Sequence, residues 1–193
     1  MRLAFFDFDD TLFYTPLEQG GKEEWEDKTG KPFPQVPPGY RNFSDFWWKS
    51  PQSLDLDVFD IKTNDWIISE YQKCKKRGDY LIMMTGRVES LRNDVIEILE
   101  SKGLTFDELH FKPETGETFS YKIKTMEDRI SELKPNEVVF YDDRKDHHQR
   151  FIDWAKSRKD VKIKIVNATT HDEVDNQTNI LRFYEFMSWK FKK

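Results

Sequence analysis

Asp7 and Asp9 stand two residues apart where an apolar run, Leu3-Ala4-Phe5-Phe6, gives way to acids. Asp142 and Asp143 follow a second apolar run, Val138 to Tyr141, and Thr85-Gly86-Arg87 follows a third, Tyr80 to Met84. If these runs are neighbouring parallel strands, their carboxyl ends meet at one edge, the edge where open α/β sheets bind ligands. Carboxylates gathered there repel one another and raise each other's pKa unless a cation sits among them. Mg²⁺ suits such a set, because it takes hard oxygen ligands and completes its shell with water or substrate phosphate oxygens. The chemistry that follows is phosphoryl transfer.

Positioning these groups requires alternating strands and helices. Arg2 to Phe6 is continuously apolar, as a strand buried on both faces must be. Trp66, Ile67, Tyr71 and Cys74 recur at helical spacing between Lys62 and Arg77, and Gly78 can cap that helix. The strand Tyr80 to Met84 leads through Thr85 into a helix marked by Leu91, Val95, Ile98 and Leu99 and closed by Gly103. A short strand at Leu109 to Phe111 follows. Ile123, Met126, Ile130 and Leu133 mark another helix, ended by Pro135, and the strand Val138 to Tyr141 comes next. A helix through Phe151, Ile152 and Ala155 precedes Val161 to Val166, whose alternating lysines fit an edge strand. This alternation predicts an α/β fold, Rossmann-like, with a parallel sheet covered by helices on both faces. Residues 14–60 have no sustained period and contain Trp25, Tyr40, Phe43, Phe46, Trp47 and Trp48, which predicts a small cap inserted after the first strand. An aromatic C-terminal helix is expected within 176–193.

At 193 residues with 37% hydrophobic and 15% aromatic content, the chain suits one domain with an insert and argues against disorder. A net charge of -5 excludes a uniformly basic nucleic-acid coat but leaves a local groove open. The single cysteine, Cys74, rules out an intramolecular disulfide and a four-cysteine zinc site, and fits a reducing, cytoplasmic setting. No window has the length and apolarity of a membrane span. A monomer is the default expectation.

DFDDTL (7–12) is similar to the first motif of the haloacid dehalogenase (HAD) superfamily of phosphotransferases, DxDxT. Thr85 resembles its second motif, Lys122 in FSYK its third, and FYDD, ending in Asp142-Asp143, its fourth. A narrower resemblance covers about residues 3–151. DTLFYTP, WWKSPQSL, MMTGR, FDELHFKP, a T-x-x-[FY]-K stretch and YDDRKDH are similar to the Swiss Army Knife RNA repair-like HAD domain, whose members act as phosphatases at nucleic-acid ends.

The resemblance implies that Asp7 is the nucleophile and forms an aspartyl-phosphate, while Asp9 is the acid/base. Thr85 would bond the transferring phosphoryl group and Lys122 would neutralise it. Asp142 and Asp143 would hold Mg²⁺ with Asp7 and Asp9, the latter through its backbone carbonyl. An acid two residues past the nucleophile favours a phosphatase or phosphomutase within the superfamily. Lys124 competes with Lys122 for the third motif, and Lys122 is preferred because it stands at the start of the helical pattern.

Gly86, Arg87, Arg144, Trp47 and Trp48 complete the candidate substrate-binding set. Arg87 and Arg144 stand equally to touch a substrate phosphate or to pair with nearby acids. Stacking of nucleobases on Trp47 or Trp48 is set against a plain core role, and core is preferred for most of the insert's rings. His147 and His148 are poor Mg²⁺ ligands, and Cys74 reads as core filler. The expected activity is Mg²⁺-dependent removal of a 3′-phosphate from nucleic-acid ends. A phosphatase for nucleotides or other small phosphoesters is the enzymatic alternative, and a module that binds phosphorylated ends without turnover is the non-enzymatic one.

Overall fold

The computed structural model describes residues 1–171 and places β1 (Arg2–Phe6) at the centre of a five-stranded sheet. Along the chain follow β2 (Phe13–Tyr14), α1 (Glu18–Thr29), α2 (Phe43–Trp47), β3 (Lys62–Thr63), α3 (Asp65–Arg77) and β4 (Tyr80–Val88). Then come α4 (Arg92–Ser101), β5 (Glu108–Lys112), α5 (Thr118–Leu133), β6 (Glu137–Asp142), α6 (Lys145–Ser157) and β7 (Lys162–Asn167). The sheet order is β5-β4-β1-β6-β7 and every pairing in it is parallel. Phe6 is in register with Met83 on one side and Tyr141 on the other, so Asp7, Thr85 and Asp142 come to the same edge of the sheet, although β4 itself runs further.

The apolar runs are continuous because each strand of this central trio buries both faces. Ala4, Phe6, Leu81, Met83, Val139 and Tyr141 face one cluster, which α3 and α4 close with Ile67, Tyr71, Cys74, Val95 and Ile98. Leu3, Phe5, Ile82, Met84, Val138 and Phe140 face the other, closed by Met126 and Ile130 of α5 and Phe151 of α6. Full burial of each large side chain stabilises the fold by about 1.5–3 kcal/mol. β7 lies at the sheet edge, as its alternating lysines predict.

Two of the boundary differences from the sequence reading bear on the site. Lys62 and Thr63 do not start α3; they pair antiparallel with Phe13 and Tyr14, and Asn64 caps the helix instead, its side chain accepting from Ile67 N. β4 continues past Met84 to Val88, so Thr85, Gly86 and Arg87 lie in extended backbone and not at a helix start. Pairing with β5 carries the strand onward, through an irregularity between Thr85 and Val88.

Between the short β2–β3 ladder the chain folds as helices and loops whose rings pack together. Phe33 stands at the middle, with ring centroids 5.5 Å from both Trp25 and Trp47 and 6.1 Å from Phe46. This cluster is continuous with the α3/α4 face of the sheet, so the insert has no separate core. α1 escapes the periodicity reading because only Gly21 and Trp25 of it are buried and it kinks at Gln19 and Gly20. Gly21 must lack a side chain: a Cβ there would lie 2.6 Å from the Trp47 ring. Among the described residues no helix is long and apolar enough to cross a membrane. The helix expected within 176–193 lies outside the described residues.

Candidate active site

The turn that leaves β1 is held from several directions. Asp7 N donates to Tyr141 O at 3.0 Å, Phe13 N donates to Phe8 O at 3.1 Å, and Asp10 takes a left-handed conformation (φ 50°) that lets the chain reverse. Asp7 is thereby fixed, buried, at the end of β1. Lys122, one turn into α5 and equally buried, places Nζ 2.7 Å from Asp7 Oδ2 and 2.8 Å from Asp142 Oδ2. Asp142 Oδ1 accepts from Arg144 N at 2.9 Å, and Asp143 Oδ1 accepts a 3.4 Å bond from Thr11 Oγ1. Carboxylate oxygens of Asp7, Asp142 and Asp143 lie within 4.8 Å of one another.

One lysine does not balance three carboxylates. Burial, reinforced by Asp142, pushes the Asp7 carboxyl up in spite of Lys122. Burial and the Asp7 and Asp142 charges do the same to Asp143. Burial works against the Lys122 ammonium, but Asp142 and Asp7 outweigh it and hold that group well above the usual lysine range. Asp7 Oδ1 is buried and has no hydrogen-bond partner. A lone carboxylate oxygen without a donor, beside two further carboxylates, is the donor set a hard divalent cation fills. The residues present therefore fit a Mg²⁺-type ion. The Asp9 side chain is not part of this cluster.

Asp9 instead faces Arg87. The guanidinium grips it through both oxygens, with Nε at 3.0 and 3.1 Å and Nη2 at 2.8 Å, and Thr15 Oγ1 adds a 2.7 Å bond. Arg87 is only 1% exposed. Its Nη1 donates to Ser53 Oγ at 2.7 Å and to Trp48 O at 3.2 Å, and its Cζ lies 4.7 Å from the centroid of the Trp48 ring. Of the two roles open to Arg87, the geometry displays the internal pairing: its donors go to Asp9 and the insert, while the residue also lines the cleft. It ties β4, the Asp7–Asp9 turn and the insert into one unit.

The remaining candidates divide. Thr85 is fully buried and its Oγ1 accepts from Arg87 N at 3.0 Å. Gly86 lines the cleft above the carboxylates, where a Cβ would come within 3.0 Å of Thr118 Cγ2. Arg144 also lines the cleft, with Nη2 2.6 Å from Asp146 Oδ2. Trp47 takes the core alternative: it is completely buried among the insert's rings, with Nε1 donating to Pro16 O at 3.0 Å, and offers no face for stacking. Trp48 is half-buried and lines the cleft. Lys124 is exposed and pairs with Asp128, two helical positions away from the face that carries Lys122. His148 is buried with Nε2 3.0 Å from Asp142 O, and His147 packs edge-on against Phe119 and Phe151.

The cleft encloses about 1410 Å³ and runs from the carboxylates between the insert and the loops after β5 and β6. Its walls include residues the sequence reading did not single out, among them Arg41, Lys49, Lys112, Glu117 and Arg150. Arg150 bonds Glu117 at 2.6 Å and covers the Phe119 ring at 3.6 Å. These groups come from loops, a strand end and the body of α6, with no shared local pattern, so only the folded chain brings them together.

A family profile described as HAD domain family 1 in Swiss Army Knife RNA repair proteins matches residues 39–185, well over half of the chain. No curated protein matches. Among solved structures, a HAD-superfamily hydrolase from Ehrlichia chaffeensis is similar at 15% identity and a TM-score of 0.49, over 86% of each chain.

Proposed function

The chain belongs to HAD domain family 1 in Swiss Army Knife RNA repair proteins and is a HAD-type phosphatase, and on that premise we propose that it is a Mg²⁺-dependent phosphomonoesterase that removes the 3′-phosphate from nucleic-acid ends through an aspartyl-phosphate on Asp7. The observation that carries this reading is the buried Asp7, bonded through Oδ2 to Lys122 and left without a partner at Oδ1, at the base of the cleft.

In the first step one Asp7 oxygen attacks phosphorus, the bond to the leaving oxygen breaks, and Asp9 delivers a proton to that oxygen. Water then attacks the aspartyl-phosphate, Asp9 takes the proton, and the carboxylate of Asp7 is restored. Lys122 opposes the protonation of Asp7 that burial favours, and it offsets charge on the phosphoryl oxygens. Thr85, whose Oγ1 accepts from Arg87 N, steadies the stretch of β4 that presents the Gly86 backbone to the phosphoryl group. Asp7, Asp142, Asp143 and the Asp9 carbonyl would hold Mg²⁺, which supplies further charge neutralisation to the transferring group. The Arg87 grip gives Asp9 a defined orientation, so the acid/base is a positioned group and not a mobile one.

Trp48 supports a nucleic-acid end as the substrate, because a half-buried ring on the cleft wall is suited to stacking a terminal base. The cleft is also far larger than a phosphoryl group requires. The experiment is phosphate release from 3′-phosphorylated oligonucleotides, nucleoside monophosphates and an aryl phosphate, with and without Mg²⁺, for the natural chain and Asp7→Asn. Full activity in Asp7→Asn would sink the covalent route. Faster turnover of small phosphoesters than of every oligonucleotide would sink the substrate assignment.

A further inference from the structure

Lys112, at the end of β5, carries a charge that the Asp7 chemistry does not use. It is 7% exposed, lines the cleft, and donates from Nζ to the carbonyls of Pro113 at 3.0 Å and Gly116 at 3.4 Å. Among the described residues no carboxylate pairs with it. An ammonium has three donors, so one is left for a ligand. Lys49 and Arg41, from either side of α2, line the same cleft. Both reach the single carboxylate of Asp45, at 3.3 and 3.4 Å, so that one acid serves two cations. The three side chains sense one another. Burial and then the Lys49 charge push Lys112 below the usual lysine range, with Arg41 adding to this and Glu114 and Asp45 opposing it.

A buried cation held by carbonyls and crowded by two like charges is costly until an anion arrives. Trp48, the neighbour of Lys49, shares this wall with one face covered by Arg87. We infer that Lys112, Lys49 and Arg41 form a second anion subsite, which takes the internucleotide phosphodiester next to the terminal nucleotide of a single-stranded polynucleotide. This rests on the nucleic-acid reading above and narrows it: the enzyme reads a strand and not a nucleotide. A phosphodiester tethered to the terminal phosphate meets the subsite at high effective concentration, which a free phosphate does not.

The test compares kcat/KM for a 3′-phosphorylated dinucleotide, its methylphosphonate analogue with an uncharged internal linkage, a nucleoside 3′-monophosphate and nitrophenyl phosphate. The natural chain should prefer the charged dinucleotide over its methylphosphonate analogue by about tenfold, the size of one or two charge-assisted hydrogen bonds. Lys49→Ala and Lys112→Met should each erase most of that preference, and should reduce the slope of log kcat/KM against log salt by about 0.7, the share of one neutralised phosphate on a single strand. If Lys112→Met fails to fold, Lys49→Ala and the methylphosphonate substrate still decide. Equal use of both dinucleotides by the natural chain, or an unchanged preference in the variants, overturns the subsite while leaving 3′-phosphatase activity standing. Turnover of nitrophenyl phosphate with none of either nucleotide class overturns the nucleic-acid reading and the subsite with it.

Discussion

Replacing Arg87 with methionine removes the charge while keeping much of the volume, and the structure sets the cost. The guanidinium is 1% exposed and its partner Asp9 has a side chain 19% exposed, so the pair sits largely out of water. Breaking a buried pair by removing one member costs about 3–5 kcal/mol. The partial solvent access of Asp9 places this case near the lower end, at about 3 kcal/mol. Ser53 Oγ and the Trp48 carbonyl lose their donor in the same substitution. In a chain of this size each kcal/mol shifts Tm by about 2–4 °C, so Arg87→Met should melt about 6–12 °C lower. Urea unfolding followed by circular dichroism measures the difference directly. Arg87→Lys keeps the charge but loses the fork that holds both Asp9 oxygens, and should fall between the two. Asp9→Asn combined with Arg87→Met should be less damaging than the sum of the single changes, with a coupling of about 1–3 kcal/mol. A cost below about 1 kcal/mol for Arg87→Met, the size of an exposed pair, would refute the reasoning, and so would strict additivity.

Mg²⁺ at a hundredfold excess over its Kd should add about 2.7 kcal/mol of stability, seen as a Tm rise that Asp143→Asn diminishes; no rise at any concentration would count against the carboxylate cluster as its site. Trp47→Ala should cost about 3–5 kcal/mol in urea melts because the ring is wholly buried, and Gly21→Ala about 1–3 kcal/mol through the clash with that ring. Burial pushes the Cys74 thiol up to about 11, above its unfolded value of 9.0, so the folded chain retains a proton that the unfolded chain releases between these values. Stability should therefore fall as pH rises from about 9 to about 11, and Cys74→Ala should flatten that part of the curve in pH-dependent melts.

How much of this is legible in the residues depends on how local each cause is. Each central strand of the sheet is buried on both faces, which leaves a continuous apolar run; and each run stops where the chain reaches the ligand-binding edge, which leaves the acids and the threonine in plain view. The insert is harder to read. Its burial depends on Trp25, Phe33, Phe46 and Trp47 meeting from separate turns, and α1 buries too few side chains to print a helical period. The end of β4 escapes the local pattern because the pairing that extends it to Val88 comes from β5, more than twenty residues later.

The sequence by itself determined the fold class and the sheet edge at which Asp7, Asp142 and Asp143 gather, because apolar periodicity and the acids that end each run are properties of short stretches. Only the tertiary structure decided between neighbours of identical type. Lys122 reaches the carboxylates and Lys124 reaches solvent, since a helix turns about 100° per residue and puts the two on different faces. Trp47 is sealed in the insert while Trp48 meets the cleft, for the same reason at the end of α2. Arg87 pairs with Asp9, a partner 78 positions away that no local pattern could have assigned to it.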